Sequence, residues 1–104
     1  FHILTPLYDI FVRLIFGRIF KKIVKIINPQ PHEKILDIGC GPGNVIIALK
    51  QYEPQARVTG LDIDPAILKI AKNKFRKAHI EAILNFFYVQ TSQPYRKICI
   101  LNPG

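Results

Sequence analysis

A loop rich in glycine and preceded by an acid is the part of the sequence best suited to chemistry. The apolar run 35–38 contains Asp37, and glycines follow at alternate positions, at Gly39, Gly41 and Gly43. Glycines between a strand and a helix let the backbone approach a ligand closely, and the helix N-terminus beyond them offers free N–H groups. The helix dipole there favours polar or anionic ligand groups. The loop therefore predicts a site for a nucleotide-type ligand.

A second carboxylate follows at the spacing expected of a ribose-binding acid. The apolar run 58–61 is followed directly by Asp62. Dinucleotide-binding proteins place such an acid about twenty residues beyond the glycine loop. The loop itself departs from the dinucleotide pattern Gly-x-Gly-x-x-Gly. Counted from Gly39, its last glycine falls on Asn44. The details therefore favour a ligand other than a dinucleotide.

The pattern Asp-x-Gly-x-Gly-x-Gly, at residues 37–43, resembles the first motif of class I S-adenosylmethionine-dependent methyltransferases. Residues 60–65, Gly-Leu-Asp-Ile-Asp-Pro, are similar to the second motif of that family. The resemblance extends from Ile35 to about Lys72. Near the N-terminus, Tyr8-Asp9 resembles the lid region of the ubiquinone-biosynthesis-like branch.

The resemblance implies S-adenosylmethionine as the cofactor and methyl transfer to an acceptor that stays unidentified. It implies that Asp37 orients the loop near the methionine amino group, that Asp62 binds the ribose hydroxyls and that Ile63 packs against the adenine. It also implies that Tyr8 closes over the cofactor. No catalytic base is indicated. The other cofactor-binding residues that it implies belong to the loop: Gly39, Cys40, Gly41, Pro42 and Gly43.

Alternating strands and helices are predicted to position these residues. Strands are predicted at 34–38 and 57–61, and helices at 44–51 and 65–77, the second helix capped by Asp64 with Pro65 at its first position. Further strand candidates are 80–84, 86–89 and 97–101. This alternation indicates an α/β fold with a Rossmann-like parallel sheet. The sheet is expected to be incomplete, with about two βα units, one or two further strands and an N-terminal helix.

The N-terminal helix is predicted over Leu7 to Ile27, because apolar residues recur there at steps of three and four. It is basic and amphipathic, and we expect residues 1–31 to form it and residues 32–104 to form a partial cofactor-binding domain. Cations interrupt the apolar stretch, so it is too short for a membrane span. Two interpretations stay open: a lid or core helix, and peripheral contact with a membrane surface.

The bulk composition is that of one small globular domain. The chain has 104 residues, of which 49% are hydrophobic, and a formal net charge of +8. Such a charge suits nucleic acid or an anionic membrane, but neither a zinc finger nor a basic-aromatic platform is present, so no nucleic-acid site is indicated. Cys40 and Cys99 form neither metal-ligand spacing nor a disulfide framework, which predicts no metal and a cytoplasmic location.

The chain is expected to be a truncated methyltransferase, because the family's sheet has seven strands. Residues 88–92 hold no acid where the family usually has one for the adenine amino group. A non-catalytic remnant or cofactor-binding module is therefore an alternative, and an NAD-binding oxidoreductase fragment is a weaker one. A sheet edge left exposed would also favour self-association.

Overall fold

The computed structural model describes residues 5–86 and 95–100, with side chains described from residue 14 onward. The described strands form one four-stranded sheet in the order β3-β2-β1-β4, with all neighbours parallel. This confirms the predicted incomplete α/β fold with a Rossmann-like parallel sheet. The elements are α1 (Thr5–Ile27), β1 (Lys34–Ile38), α2 (Asn44–Tyr52), β2 (Arg57–Asp62), α3 (Pro65–Lys77), β3 (Ile83–Phe86) and β4 (Lys97–Cys99).

The third strand begins later than predicted, at Ile83 instead of Ile80. The N–H of Ile80 donates to the carbonyl of Phe75 at 2.9 Å, and His79 adopts a positive φ of 55°. Both features close the C-terminus of α3, as in a Schellman-type ending. Ile80 therefore belongs to the end of α3 and cannot start β3. The candidate strand at 86–89 lies largely outside the described residues. Leu101, at the end of the candidate strand 97–101, also lies outside them.

The core lies between the sheet and the helices α2 and α3: Ile35, Ile46 and Leu49 are fully buried, and Ala71 of α3 belongs to the same cluster. Val24 of α1 is 4% exposed and belongs to the same buried cluster. The C-terminal part of α1 therefore packs on this core, mainly against α2. In the described ranges, no helix combines the length and apolarity required to cross a bilayer.

The edges of the described sheet are β3 and β4. Ile83 is 62% exposed and Ile98 is 59% exposed, so both edge strands present apolar side chains. Exposed sheet edges favour association with other chains. Self-association stays a prediction.

A single lysine joins the end of α1 to the last described strand. Nζ of Lys97 donates to the carbonyl of Ile27 at 2.6 Å and to that of Asn28 at 2.9 Å. It also lies 3.0 Å from Oε1 of Glu33. A cation at a helix C-terminus satisfies the last carbonyls and complements the dipole. Lys97 therefore holds the end of α1 against β4 and against Glu33, the residue before β1.

Candidate functional site

The loop between β1 and α2 is fastened to the carboxyl end of β2. The N–H groups of Gly39 and Cys40 donate to the carbonyl of Leu61 at 2.7 and 3.0 Å. The N–H of Gly41 donates to Oδ2 of Asp62 at 2.9 Å. In parallel α/β sheets, ligands bind in crevices beyond the carboxyl ends of the strands. The predicted loop and the predicted second acid therefore meet at the edge where such sheets bind ligands.

All three glycines of the loop have backbone conformations that side chains disfavour. The φ angles are 70° at Gly39, 56° at Gly41 and 85° at Gly43. A Cβ on Gly43 would lie 2.6 Å from the ring of Phe75, whereas a Cβ on Gly41 would meet no atom within 4 Å. Gly43 is therefore required for packing against α3. Gly41 instead leaves open space beside its backbone.

Asp37 is a buried carboxylate that lacks a complete set of hydrogen bonds. Its side chain is 1% exposed, and Oδ2 has no hydrogen-bond partner among the described residues. Burial, assisted by the charge of Asp62, raises the pKa of this carboxyl to about 6. A buried polar atom without a partner costs free energy. Such an atom beside a ligand-type loop points to a missing hydrogen-bond donor.

Asp62 and Asp64 have different roles in the structure although they are two residues apart. Asp62 accepts from Gly41 through Oδ2 and from the N–H of Asp64 through Oδ1, at 2.9 Å each. Each carboxylate oxygen retains a further lone pair, and the side chain is half-buried. Asp64 accepts from the N–H of Ala66 at 3.0 Å and caps α3, with Pro65 following it. The predicted helix cap is confirmed, and Asp62 keeps acceptor capacity for a ligand.

The remaining predicted site residues fall into three settings. Ile63 follows Asp62 and is 73% exposed, while Pro42 is half-buried within the loop. Cys40 is buried, and burial together with the charges of Asp37 and Asp62 raises the pKa of its thiol to about 12. That thiol therefore stays protonated and is not a nucleophile. Tyr8 lies in α1, but its side chain is outside the described residues, as are residues 88–92.

Gly60 is a residue of the site region to which the sequence analysis gave no role. A Cβ there would lie 2.7 Å from Cδ1 of Ile46, 2.8 Å from Sγ of Cys40 and 2.9 Å from Cδ2 of Leu84. The glycine therefore lets the loop and α2 pack closely on β2. The sequence signal that could have identified this role is a glycine inside a predicted strand, which often marks the close approach of another part of the chain.

A family model described as a methyltransferase domain matches residues 35–93, more than half of the chain. The match begins in β1 and takes in the glycine loop, Asp62 and α3. It supports the predicted methyltransferase family over a nicotinamide-dependent oxidoreductase.

Named relatives and a solved structure agree with this family. The chain is 36% identical over 62 residues to malonyl-[acyl-carrier protein] O-methyltransferase of Acetivibrio thermocellus, covering 59% of this chain and 22% of that protein. It is 46% identical over 41 residues to trans-aconitate 2-methyltransferase of Escherichia coli, covering 39% of this chain and 16% of that protein. Its fold matches the plantazolicin methyltransferase in complex with SAH, with a TM-score of 0.56 and 28% identity over 65% of this chain and 26% of that chain.

The chain thus spans about a fifth of the length of these curated relatives. The shared part contains the loop that ends β1 and the acid that ends β2. The chain belongs to the methyltransferase-domain family.

Proposed function

We propose that this chain is the cofactor-binding part of an S-adenosylmethionine-dependent methyltransferase and that its methyl acceptor is a small molecule. The observation that carries the proposal is the buried Asp37 carboxylate, whose Oδ2 has no partner among the described residues. It lies directly before a loop of left-handed glycines that is fastened to Asp62. A ligand with a cationic amine would supply the missing donor to Asp37.

The described residues fit the parts of such a cofactor. Asp37 would accept hydrogen bonds from the ammonium of the methionine portion, since a buried carboxylate favours a charged donor. Asp62 would accept hydrogen bonds from the ribose hydroxyls through its remaining lone pairs. The open space at Gly41 admits a ligand beside the backbone, and the exposed side chain of Ile63 offers an apolar surface to the adenine.

When bound, S-adenosylmethionine supplies a methyl group activated by a sulfonium. The part of this chain in the reaction is to hold the cofactor in one orientation, because alignment of two reactants removes much of the entropic barrier. The fastened loop serves this role, since Leu61 and Asp62 fix three successive N–H groups. The protonated thiol of Cys40 takes no part as a nucleophile.

A small-molecule acceptor is supported by one of the relatives, whose name gives trans-aconitate as its substrate. A non-catalytic cofactor-binding module is the second candidate, because residues 88–92 hold no acid at the place where the family usually has one for the adenine amino group. Both candidates require cofactor binding at the same loop. They differ in turnover, which the module would lack.

Calorimetric titration of the purified chain tests the proposal. S-adenosylhomocysteine, the demethylated product, should bind saturably, whereas NAD should give no saturable heat. Far-ultraviolet circular dichroism would first establish that the chain is folded. Equal binding of NAD, or no binding of S-adenosylhomocysteine by a folded chain, would overturn the proposal.

A further inference from the structure

The helix α1 presents three different faces along its described side chains. At about 3.6 residues per turn, residues spaced by three or four share a face. The packed face consists of Phe20, Ile23, Val24 and Ile27, of which Val24 is buried and the other three pack against the core. This face accounts for the contact of α1 with the rest of the domain.

The second face of α1 is cationic. Arg18, Lys21, Lys22 and Lys25 follow the spacing i, i+3, i+4 and i+7, and all four are exposed. The sequence has no acidic residue between Asp9 and Glu33. In the described part of the chain, no carboxylate forms an ion pair with any of the four. The face therefore carries uncompensated positive charge.

Between these two faces runs an apolar stripe that the described protein leaves uncovered. Ile15, Ile19 and Ile26 follow the spacing i, i+4 and i+11, so they line up along the helix. Their side chains are 42%, 44% and 82% exposed, and the neighbouring Phe16 is 50% exposed. Contiguous exposed apolar side chains beside polar ones mark an interaction surface.

We propose that α1 binds the surface of a lipid bilayer that contains anionic lipids, with the stripe of Ile15, Ile19 and Ile26 inserted and the four cations at the headgroups. An interfacial helix has this composition, with lysine and arginine beside an apolar stripe. Long cationic side chains reach the headgroups while their stems lie along the apolar boundary. The packed face stays on the protein, so the domain rests on the membrane without crossing it.

The combination of charge and apolar stripe distinguishes α1 from the other basic helix. The helix α3 also carries exposed cations, among them Lys69 and Lys77, but Ile70 is its single exposed large apolar residue, whereas the described part of α1 has five. Charge alone would suit any polyanion, including nucleic acid. The exposed isoleucines of α1 favour the bilayer, because a nucleic-acid backbone offers no apolar layer for them.

Vesicle co-sedimentation of the full chain tests this proposal. Vesicles of phosphatidylcholine mixed with phosphatidylserine should retain the chain at low salt, and vesicles of phosphatidylcholine alone should not. The double variant Lys21→Gln with Lys25→Gln should lower the partition coefficient about thirtyfold. The double variant Ile19→Ser with Ile26→Ser should lower it about tenfold or more, through the lost apolar burial. The matched control Lys69→Gln with Lys77→Gln, in α3, should sediment like the unmodified chain.

Thermal unfolding checks that each variant is folded, which the exposure of the substituted side chains predicts. Loss of binding in both α1 variants, with the α3 control unaffected, supports the proposal. It is overturned if the chain does not bind anionic vesicles or binds both lipid compositions equally. It is also overturned if the α3 control loses as much binding as the α1 variants. It is also overturned if the chain binds a single-stranded RNA oligonucleotide through Lys21 and Lys25 while vesicles do not bind.

Discussion

The N–H of Gly41 donates a hydrogen bond of 2.9 Å to Oδ2 of Asp62, although the two residues are 21 positions apart in sequence. Asp62 ends β2, and Gly41 lies at the middle of the loop that leaves β1. The carboxylate therefore acts on the protein itself by fixing the loop, and it retains lone pairs for a ligand. Loss of this side chain should disturb both functions together.

The glycines of the loop should differ in what their replacement costs. Gly43→Ala places a Cβ 2.6 Å from the ring of Phe75 at a φ of 85°. It should lower the free energy of unfolding by about 2–5 kcal/mol through strain and overpacking. Gly41→Ala has a φ of 56° and open space, so its cost should be about 1–2 kcal/mol.

Urea unfolding of the two alanine variants measures this difference. Shortening Phe75 to leucine in the Gly43→Ala background should recover part of the loss, because the ring is the atom group in conflict. Equal destabilisation by the two alanines would contradict the assigned contact.

Asp37 should make the stability of the fold depend on pH in an unusual direction. Burial, assisted by the charge of Asp62, raises the pKa of Asp37 from 3.8 to about 6 in the folded state. The folded state therefore binds more protons than the unfolded state between these values. The contribution of Asp37 to the free energy of unfolding is fully present below about pH 4. It is lost as the pH rises through about 6, which lowers that free energy by on the order of 2–3 kcal/mol.

Denaturant unfolding at a series of pH values, on the unmodified chain and on Asp37→Asn, isolates this contribution. The variant should lose the decline in stability between pH 4 and 6. The control Asp64→Asn, which alters the helix cap, should keep it. An unchanged pH profile in Asp37→Asn would refute the assignment to Asp37.

Lys97 should stabilise the fold well beyond an ordinary surface lysine. Lys97→Met removes the donor to the carbonyls of Ile27 and Asn28 and the ion pair with Glu33. It should lower the free energy of unfolding by about 1–3 kcal/mol. The neighbouring control Arg96→Met replaces an exposed side chain and should be near neutral in the same thermal or urea measurement. A neutral Lys97→Met would show that the cap contributes little.

The sequence predicted those parts of the fold whose signals are local. The strand at Lys34–Ile38 was predicted with its observed bounds, because a short apolar run is followed directly by glycines. The cap of α3 was predicted from Asp64-Pro65, since capping acts within one turn. The glycine loop and Asp62 were predicted as one site, and the structure brings them to hydrogen-bond distance.

Contacts between distant residues were beyond the reach of these patterns. The bond from Lys97 to Ile27 joins residues 70 positions apart, and nothing in either local sequence specifies it. The late start of β3 depends on Ile80 closing α3, which apolar periodicity does not distinguish from a strand residue. The partnerless Oδ2 of Asp37 likewise depends on the packing of the whole sheet.

The roles of the two carboxylates are best separated by calorimetry with two ligands, S-adenosylhomocysteine and methylthioadenosine. Methylthioadenosine carries the adenine, ribose and sulfur but lacks the amino-acid portion. Asp62→Ala should weaken both ligands about tenfold or more, while Asp37→Asn should weaken S-adenosylhomocysteine alone by a similar factor. Lys69→Gln, at an exposed position on α3, serves as the control. The account is contradicted if Asp37→Asn weakens both ligands equally, or if neither carboxylate variant changes the affinity for S-adenosylhomocysteine.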